Sequence, residues 1–375
     1  MMMKNNKIPV YKPLLSGKEK EYVDECLEST WISSKGQYVS RFENEFSKYI
    51  GVEYGIAVTN GTVAIHLALL ALGIGEGDEV IVPTLTYVAT VNPVKYVGAV
   101  PIFVDSVEET WQMNPKDIES KITDKTKAII VVHLYGHPCE MEEITRIARE
   151  NNIFLIEDCA EAIGTKYAGR MVGSFGDIGC YSFFGNKTIT TGEGGMIVTN
   201  DKTIASRAVN LKDQGLAMYR EYWHDIVGYN FRMTNICAAI GVAQLEMVEE
   251  IIEKKRRIAD WYEKYLEGLS CRLLRGKDEE CGIRNTYWMC NIVLDNSEIR
   301  EDLRNYLKDN GIETRPSFYP VHTMPIYSQK YQKFVVAEKL GWSGINMPSY
   351  PELSENDVMF ICGKVREFMQ SKPKC

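Results

Sequence analysis

The run SFFGNKTITTGEGGM, residues 182–196, sets Lys187 between a short apolar segment and a glycine-rich turn that enters a second apolar segment. An amine at the edge of a packed sheet is partly desolvated by its apolar neighbours, which favours its neutral form. A neutral amine can form a Schiff base with an aldehyde or a ketone. A lone lysine in a loop is more often only solvated, so the rest of the chain has to decide between the two interpretations.

Short β-branched segments alternate with helical patterns around this run. The segments are residues 56–58, 80–82, 102–104, 128–132, 154–156, 178–182 and 196–198. Strands buried on both faces have this composition, so we predict an α/β fold with a mainly parallel sheet between layers of helices. Ligands of such sheets lie beyond the carboxyl ends of the strands. Tyr87, Asp158 and Lys187 each follow a predicted strand and are therefore expected at that edge.

The second half of the chain has a different pattern. A long helical pattern runs from Asn235 toward Arg257 and is a candidate bridge between domains. Beyond it we predict a strand at residues 288–294, a helix at 297–310 and a final helix at about 358–369. These pieces suit a small α+β domain.

The length of the chain also favours two domains, because 375 residues exceed an average single domain. We predict a large domain of residues 1–245 and a smaller C-terminal domain of residues 246–375. The N-terminal segment is a candidate to pack on the smaller domain.

Composition and charge exclude several classes of partner. The net charge of -8 gives no basic surface for a nucleic acid or an anionic membrane. The longest aliphatic runs, such as residues 128–132, are far shorter than the roughly 20 apolar residues that span a bilayer. The ten cysteines show no Cys-x-x-Cys pair, and residues 1–7 lack the pattern of a secretory leader, so we predict a reducing cytoplasm.

Two histidines raise the question of a metal. His133 and His137 are four residues apart, but Gly136 and Pro138 argue against a helix that would direct both at one ion. No carboxylate completes a familiar zinc signature. We therefore predict no metal.

The lysine run resembles the corresponding motif of the DegT/DnrJ/EryC1/StrS family of nucleotide-sugar aminotransferases, which depend on pyridoxal phosphate (PLP). Other landmarks of that family occur here in the same order, at Thr30–Ser34, Asn60–Thr62, Thr84–Tyr87, Glu157–Asp158, Gly228–Asn235 and Arg315–Tyr327. The resemblance covers nearly the whole chain. It implies an aspartate-aminotransferase-like large domain (PLP fold type I), with pyridoxamine phosphate (PMP) as the second form of the cofactor.

The resemblance assigns Lys187 as the covalent anchor of the cofactor and its general acid–base. It places Asp158 against the pyridine nitrogen, where a carboxylate keeps that nitrogen protonated; alone, an aspartate at a strand end is usually a turn or cap residue. Gly61 and Thr62 open a helical run, so their N–H groups can receive a phosphate, although a plain helix cap has the same pattern. Ser182 is a second donor to the phosphate.

Three further cofactor contacts are implied. Tyr87 would stack on the cofactor ring, with core packing as the alternative. Glu161 would approach the phenolic oxygen; many relatives have Gln there, and Glu resembles the branch that forms GDP-perosamine. Asn235 is a natural N-cap of its helix. In the resemblance it reaches the phosphate of the neighbouring subunit's cofactor, so we predict a homodimer with shared active sites.

Candidate substrate residues follow from charge and from the resemblance. Arg232 and Arg315 can clamp a carboxylate or a diphosphate, because a guanidinium presents paired donors. The resemblance adds residues that border the sugar nucleotide, namely Trp31, Ser33, Tyr319 and His322.

The function implied is transfer of the amino group of L-glutamate to C4 of a nucleotide-linked 4-keto-6-deoxyhexose, in O-antigen or other polysaccharide biosynthesis. The nearest branch uses GDP-4-keto-6-deoxy-D-mannose and gives GDP-perosamine. Alternatives are a dTDP- or UDP-linked keto sugar aminated at C4 or C3, a PMP-dependent sugar dehydratase, and a PLP-binding regulator without turnover. Lys187 speaks against the dehydratase, whose relatives have His at that position.

Overall fold

The computed structural model describes residues 7–15, 17–217, 219–275, 282–328 and 332–371; residues 1–6, on which part of the leader prediction rests, lie outside these ranges. The strands are β1 (Tyr54–Val58), β2 (Glu79–Pro83), β3 (Val100–Val104), β4 (Thr126–Val132), β5 (Phe154–Asp158), β6 (Lys166–Tyr167), β7 (Arg170–Met171), β8 (Ile178–Ser182), β9 (Gly195–Thr199), β10 (Cys271–Leu273), β11 (Cys290–Leu294), β12 (Arg315–Pro316) and β13 (Gly344–Met347). The helices are α1 (Lys18–Glu28), α2 (Gln37–Ile50), α3 (Gly61–Leu72), α4 (Asn92–Tyr96), α5 (Pro115–Ser120), α6 (Met141–Glu150), α7 (Lys202–Lys212), α8 (Asn235–Glu246), α9 (Val248–Leu266), α10 (Arg300–Asp309), α11 (Val335–Ser343) and α12 (Glu355–Ser371). Short 3-10 helices lie at Val88–Thr90, Leu134–Gly136, Ser297–Ile299 and Val321–Thr323.

The larger sheet is mainly parallel, as predicted. Over the described residues its strand order is β1-β9-β8-β5-β4-β2-β3. Strands β8, β5, β4, β2 and β3 pair in parallel, whereas β9 is antiparallel to both of its neighbours. All seven segments predicted as strands lie in this sheet.

Helices cover both faces of the sheet because its strands are apolar on both sides. In β4, Ile130 packs in the core cluster that includes Leu67 of α3, while the neighbouring Ile129 packs with Ile144 and Ile147 of α6. Successive side chains of a strand point to opposite faces, so an uninterrupted aliphatic run supplies two cores at once.

Polar residues predicted to contact the cofactor lie at the carboxyl edge of this sheet. Asp158 is the last residue of β5, and Ser182 is the last residue of β8. Just beyond β1, the Asn60 side chain accepts a hydrogen bond from the Val63 N–H at 2.9 Å and so caps α3. The first turn of α3 therefore opens at the edge where β5 and β8 end.

The long helix predicted from Asn235 toward Arg257 is two helices. Met247, with φ -112° and ψ 5°, separates α8 from α9. No glycine or proline marks this break in the sequence, so the helical pattern predicted one continuous helix. The predicted strand at 288–294 begins at Cys290, and the predicted helix at 297–310 is a 3-10 turn followed by α10.

A second, smaller sheet forms in the C-terminal part, with strand order β10-β11-β13-β12 and antiparallel pairing throughout the described residues. Ile8 of the N-terminal segment bridges to Ile312 beside it, and the Ile8 N–H donates to the Gly311 carbonyl at 2.8 Å. The domain boundary at residues 245 and 246 stays a prediction. Among the described residues, no helix combines the length and apolar character needed to cross a membrane.

Candidate active site

A cavity of about 640 Å³ opens at the carboxyl edge of the larger sheet. Seven of the eight predicted cofactor residues line it: Gly61, Thr62, Tyr87, Asp158, Glu161, Ser182 and Lys187. The loop after β8 and two residues from the second half of the chain, Trp288 and Phe318, complete much of the wall. The fold thus brings together predicted residues that are far apart in the sequence; Gly61 and Lys187, for example, are 126 positions apart.

Lys187 is held inside this cavity. Its Nζ lies 3.6 Å from Glu161 Oε1 and 4.0 Å from the centre of the Trp288 ring, and only 12% of its side chain is exposed. The backbone is fixed as well, because the Tyr11 hydroxyl donates to the Lys187 carbonyl. The amine therefore has a defined position within the cavity.

Asp158 is buried at the cavity wall. Burial raises the pKa of its carboxyl, whereas hydrogen bonds from Thr90 and Ala160 and the charge of Lys187 act to lower that pKa. The Thr90 hydroxyl donates to Oδ2 at 2.8 Å, and the Ala160 N–H donates to Oδ1 at 3.1 Å. Thr86 Oγ1 lies 2.9 Å from Thr90 Oγ1 and extends this chain of hydroxyls. These contacts direct the carboxyl group and stabilise its ionised form.

Glu161 is the second buried carboxyl group of the cavity. Burial raises its pKa to about 7, while the charge of Lys187 opposes the rise. The Tyr135 N–H donates to Oε2 at 2.8 Å, which leaves Oε1 facing the lysine amine. Glu161 can therefore gain or lose a proton near neutral pH.

A small cradle forms where the first turn of α3 meets the end of β8. A Cβ atom added to Gly61 would lie 2.7 Å from Ser182 Cβ, closer than real Cβ atoms approach. Only glycine fits, and the N–H groups of the first turn remain without intrahelical acceptors. Together with the Ser182 hydroxyl, this geometry matches an anion such as a phosphate.

Aromatic side chains form the outer wall. Tyr87 is 57% exposed, so it is not a core residue, and its ring lies 5.6 Å from the Phe318 ring. Tyr96 and Phe184 also line the cavity and are about half exposed. Of these rings only Tyr87 was predicted from the sequence; Phe184 lies in the lysine run itself, whereas Tyr96 and Phe318 reach the cavity through the tertiary fold.

Asn235 was predicted to cap its helix and to reach the phosphate of the neighbouring subunit's cofactor; the structure gives the cap to another residue, and the contact between subunits stays a prediction. Thr234 is the N-cap, and its hydroxyl accepts from the Cys237 N–H. Both donors of the Asn235 amide are engaged within the chain, by the Trp31 carbonyl at 2.6 Å and Cys26 Sγ at 3.2 Å. Asn235 is buried and does not line the cavity. Within its own chain, its amide anchors the loop before α2.

The six predicted substrate residues are not among those that line the cavity. Arg232 is paired with Asp213 at 2.7 Å, and Arg315 is paired with Glu313 at 2.6 Å. Each guanidinium is thus already bound to a carboxylate within this chain.

The other four substrate candidates are divided between surface and core. Trp31 and Ser33 are exposed in one loop, and the Tyr319 hydroxyl accepts a hydrogen bond from Arg300. His322 is buried, with Nδ1 2.6 Å from Thr84 Oγ1 and Nε2 3.1 Å from Glu338 Oε1. Their predicted roles toward a substrate stay predictions.

His133 lies against a carboxylate rather than against His137. Its Nε2 is 3.1 Å from Glu157 Oε2, and Cys159 lies close to both groups. The Glu157 carboxylate already accepts from three backbone N–H groups, of Gly173, Phe175 and Gly176, each at 2.7 Å. This cluster is therefore accounted for as a buried hydrogen-bond network that fixes the end of β5.

The cavity places a buried lysine amine beside a buried aspartate, an anion cradle and aromatic rings at the carboxyl edge of a mainly parallel sheet. This arrangement fits the class that the sequence resembles, the pyridoxal-phosphate-dependent aminotransferases with the aspartate-aminotransferase-like fold.

Comparison with known proteins then gives the family. The profile of the DegT/DnrJ/EryC1/StrS aminotransferase family matches residues 13–366, and the chain belongs to this family. It is 63% identical to the GDP-perosamine synthase of Escherichia coli O157:H7, over 97% of this chain and 99% of that protein. It is 47% identical to the GDP-perosamine synthase of Vibrio cholerae, over 96% and 99% of the two chains.

Solved structures agree with this assignment. The aminotransferase from Psychrobacter cryohalolentis superimposes with a TM-score of 0.90 at 31% identity, over 96% of this chain and 98% of that one. A Streptococcus pneumoniae protein solved in its PLP form gives a TM-score of 0.92 at 26% identity, over 97% and 99%. The predicted fold class and the predicted PLP dependence are confirmed.

Proposed function

We propose that this enzyme transfers the amino group of L-glutamate to C4 of GDP-4-keto-6-deoxy-D-mannose and so forms GDP-perosamine for polysaccharide synthesis. The observation that carries the proposal is the 63% identity to a GDP-perosamine synthase over 97% of the chain. The cavity with Lys187, Asp158 and Glu161 supports amino-group transfer at this site. The comparisons do not favour the dehydratase or the regulator without turnover.

The residues present fit the cofactor. Its phosphate would be held by the N–H groups of Gly61 and Thr62 and by the Ser182 hydroxyl, because these donors converge at the cradle. Asp158 would hold the pyridine nitrogen in its protonated form. When bound, the cofactor supplies an aldehyde carbon that takes up the amino group and a ring that withdraws electrons from the reacting carbon.

Lys187 would carry the proton. Its amine is the only lysine amine among the described residues that line the cavity. Once free, that amine can take a proton from the α-carbon of the amino donor and return a proton to a neighbouring carbon. Glu161 Oε1, 3.6 Å away, keeps the amine oriented toward the cavity.

A second copy of the chain would complete the site. Tyr87, Tyr96 and Phe184 leave about half of their surface open at the mouth of the cavity. The segment 219–227 exposes a second apolar group, in which Tyr222 is 92% and Val227 is 86% exposed. Large exposed apolar patches mark interfaces, so we infer a homodimer in which this surface is covered.

The compartment follows from the thiols. Every cysteine in the described ranges is free, and most are buried. Free thiols of this number suit a reducing environment, so we infer that the enzyme acts in the cytoplasm.

The substrate is tested with a panel of GDP-, UDP- and dTDP-linked 4-keto-6-deoxyhexoses and 3-keto sugars, each incubated with L-glutamate. Product masses and NMR spectra should show amination of the GDP sugar at C4, with kcat/KM at least about tenfold above every other member. Equal or better use of a UDP- or dTDP-linked sugar would overturn the choice of nucleotide. Lys187→Ala serves as the matched inactive control.

A further inference from the structure

Trp288, from the C-terminal part of the chain, contacts the amine of Lys187. It lies two residues before β11, outside the larger sheet, and its side chain is buried in the wall of the cavity. The centre of its ring is 4.0 Å from Lys187 Nζ. A cation over the face of an indole ring at this distance is attracted by the negative face of the ring.

The same indole also holds the backbone beside the lysine. Trp288 Nε1 donates to the Asn186 carbonyl at 2.6 Å, and the Tyr11 hydroxyl donates to the next carbonyl, that of Lys187. Tyr11 belongs to the N-terminal segment. Two aromatic donors from outside the larger sheet therefore fix the turn from which the reactive side chain projects.

The ring of Trp288 is itself fixed. The Trp288 N–H donates to the Tyr135 carbonyl at 3.1 Å. The Trp288 ring stacks with the Tyr135 ring at 6.2 Å and 9°, and with the Phe318 ring at 6.3 Å and 19°. Tyr135 donates its own N–H to Glu161, the other partner of the lysine amine. The ring and the carboxylate thus belong to one packed unit.

We propose that Trp288 is a positioning residue for Lys187. Its ring face and the Glu161 carboxylate hold the lysine amine in place whenever that amine is not bonded to the cofactor. The proposal rests on the role given to Lys187 above.

The Lys187 amine has two partners of different kinds, the Trp288 ring and the Glu161 carboxylate, and each contributes differently to its position. Amino-group transfer requires the amine to be free during the proton transfers and still within reach of the reacting carbons. Because burial raises the pKa of Glu161 to about 7, its negative charge is incomplete near neutral pH. The attraction of the ring face for an ammonium group, by contrast, does not depend on the charge of Glu161.

The test uses cofactor-free protein, so its outcome does not depend on turnover. Lysines are acetylated with a limiting pulse of acetic anhydride near neutral pH, and the rate at Lys187 is read by peptide mass spectrometry. Trp288→Leu removes the ring face and should raise this rate about three- to tenfold, because a free and mobile amine reacts faster. Trp288→Phe keeps an aromatic face and should stay within about twofold of the native rate.

The matched control is Phe360→Leu, which removes the ring 5.7 Å from Lys364 on the surface of α12. Its Lys187 rate should be unchanged. Equal rates at Lys187 in the native protein and Trp288→Leu would overturn the proposal. Equal acceleration by Phe and Leu at position 288 would overturn the role of the ring face. If Trp288→Leu fails to fold, the comparison of native protein with Trp288→Phe and Trp288→Tyr decides in its place, because both aromatic variants must stay near the native rate.

A second experiment separates this inference from the proposed function. Borohydride reduction of the native enzyme with its cofactor, followed by peptide mapping, identifies the lysine that carries the cofactor. If the cofactor is found on Lys187 but the position 288 variants show the native acetylation rate, only the inference about Trp288 is wrong. If the cofactor is found on another lysine, the role assigned to Lys187 is itself wrong.

Discussion

The Thr90 hydroxyl donates a hydrogen bond to Asp158 Oδ2 at 2.8 Å inside the wall of the cavity. Thr90 belongs to the 3-10 helix that follows β2, whereas Asp158 ends β5. The contact therefore joins two elements of the carboxyl edge and supports the ionised form of a carboxyl group whose pKa burial raises.

Thr90→Val should weaken cofactor binding. Loss of a hydrogen bond to a charged, buried group costs about 1.5–3 kcal/mol, which corresponds to roughly a ten- to hundredfold rise in the Kd for the cofactor. Thr90→Ser retains the hydroxyl and should bind within about threefold of the native protein. Spectroscopic titration of cofactor-free protein gives both values. A native-like Kd for Thr90→Val would show that Asp158 does not need this donor.

Gly61→Ala should destabilise the cofactor-free protein by about 1–3 kcal/mol, because the new methyl group meets Ser182 Cβ at 2.7 Å. The double variant Gly61→Ala with Ser182→Gly removes the clash and should recover most of that loss. Urea unfolding measures the free energies. Additive losses in the double variant would contradict the close approach of these two residues.

Lys255 should make stability depend on alkaline pH. Its side chain is fully buried, with Nζ 2.6 Å from the Ser349 carbonyl and close to the Tyr11 ring. Burial lowers its pKa from 10.5 to about 8, and Cys290 acts in the opposite direction. Between these two values the unfolded chain binds more protons than the folded chain, so this group makes stability rise with pH.

The change attributable to Lys255 is about 3 kcal/mol between pH 8 and pH 10.5. Other groups titrate in the same range, so the relevant quantity is the difference in unfolding free energy between the native protein and Lys255→Met. This difference should favour Lys255→Met most at pH 8 and shrink toward pH 10.5. A difference that does not vary with pH would contradict a depressed pKa for this lysine.

Asn235→Ala should loosen the loop before α2. It removes the acceptor of the Tyr38 N–H, at 2.9 Å, and the donor to the Trp31 carbonyl. Unpaired buried polar groups cost about 1–3 kcal/mol, so amide hydrogen exchange at Tyr38 should accelerate roughly five- to hundredfold. Unchanged protection at Tyr38 would show that the amide of Asn235 does not anchor this loop.

The strands of the larger sheet could be predicted because their signal is local. The runs at residues 128–132 and 178–182 are apolar on both faces, and the structure places them as neighbours of β5. Asp158 and Lys187 could be predicted to share an edge, since both follow such runs. The family resemblance added the chemistry that the pattern alone left open.

The remaining contacts depend on partners that are far away in the sequence. Trp288 reaches Lys187 across 101 positions, and nothing near Trp288 indicates this contact. Thr234 and Asn235 are both suitable caps, and only the backbone geometry shows that Thr234 takes that role. The pairing of Arg232 with Asp213 joins residues 19 positions apart and is not indicated by the sequence around either one; the role of Arg232 toward a substrate stays a prediction.

The most direct test of amino-group transfer by this enzyme follows the nitrogen atom. The enzyme is incubated with 15N-labelled L-glutamate and GDP-4-keto-6-deoxy-D-mannose, with Lys187→Ala in parallel, and the sugar product is analysed by NMR. We predict that 15N is bonded to C4 of the GDP-linked sugar with the native enzyme and is not transferred over multiple turnovers by the variant. Label at another carbon, no label in the sugar, or sustained transfer by Lys187→Ala would contradict this function.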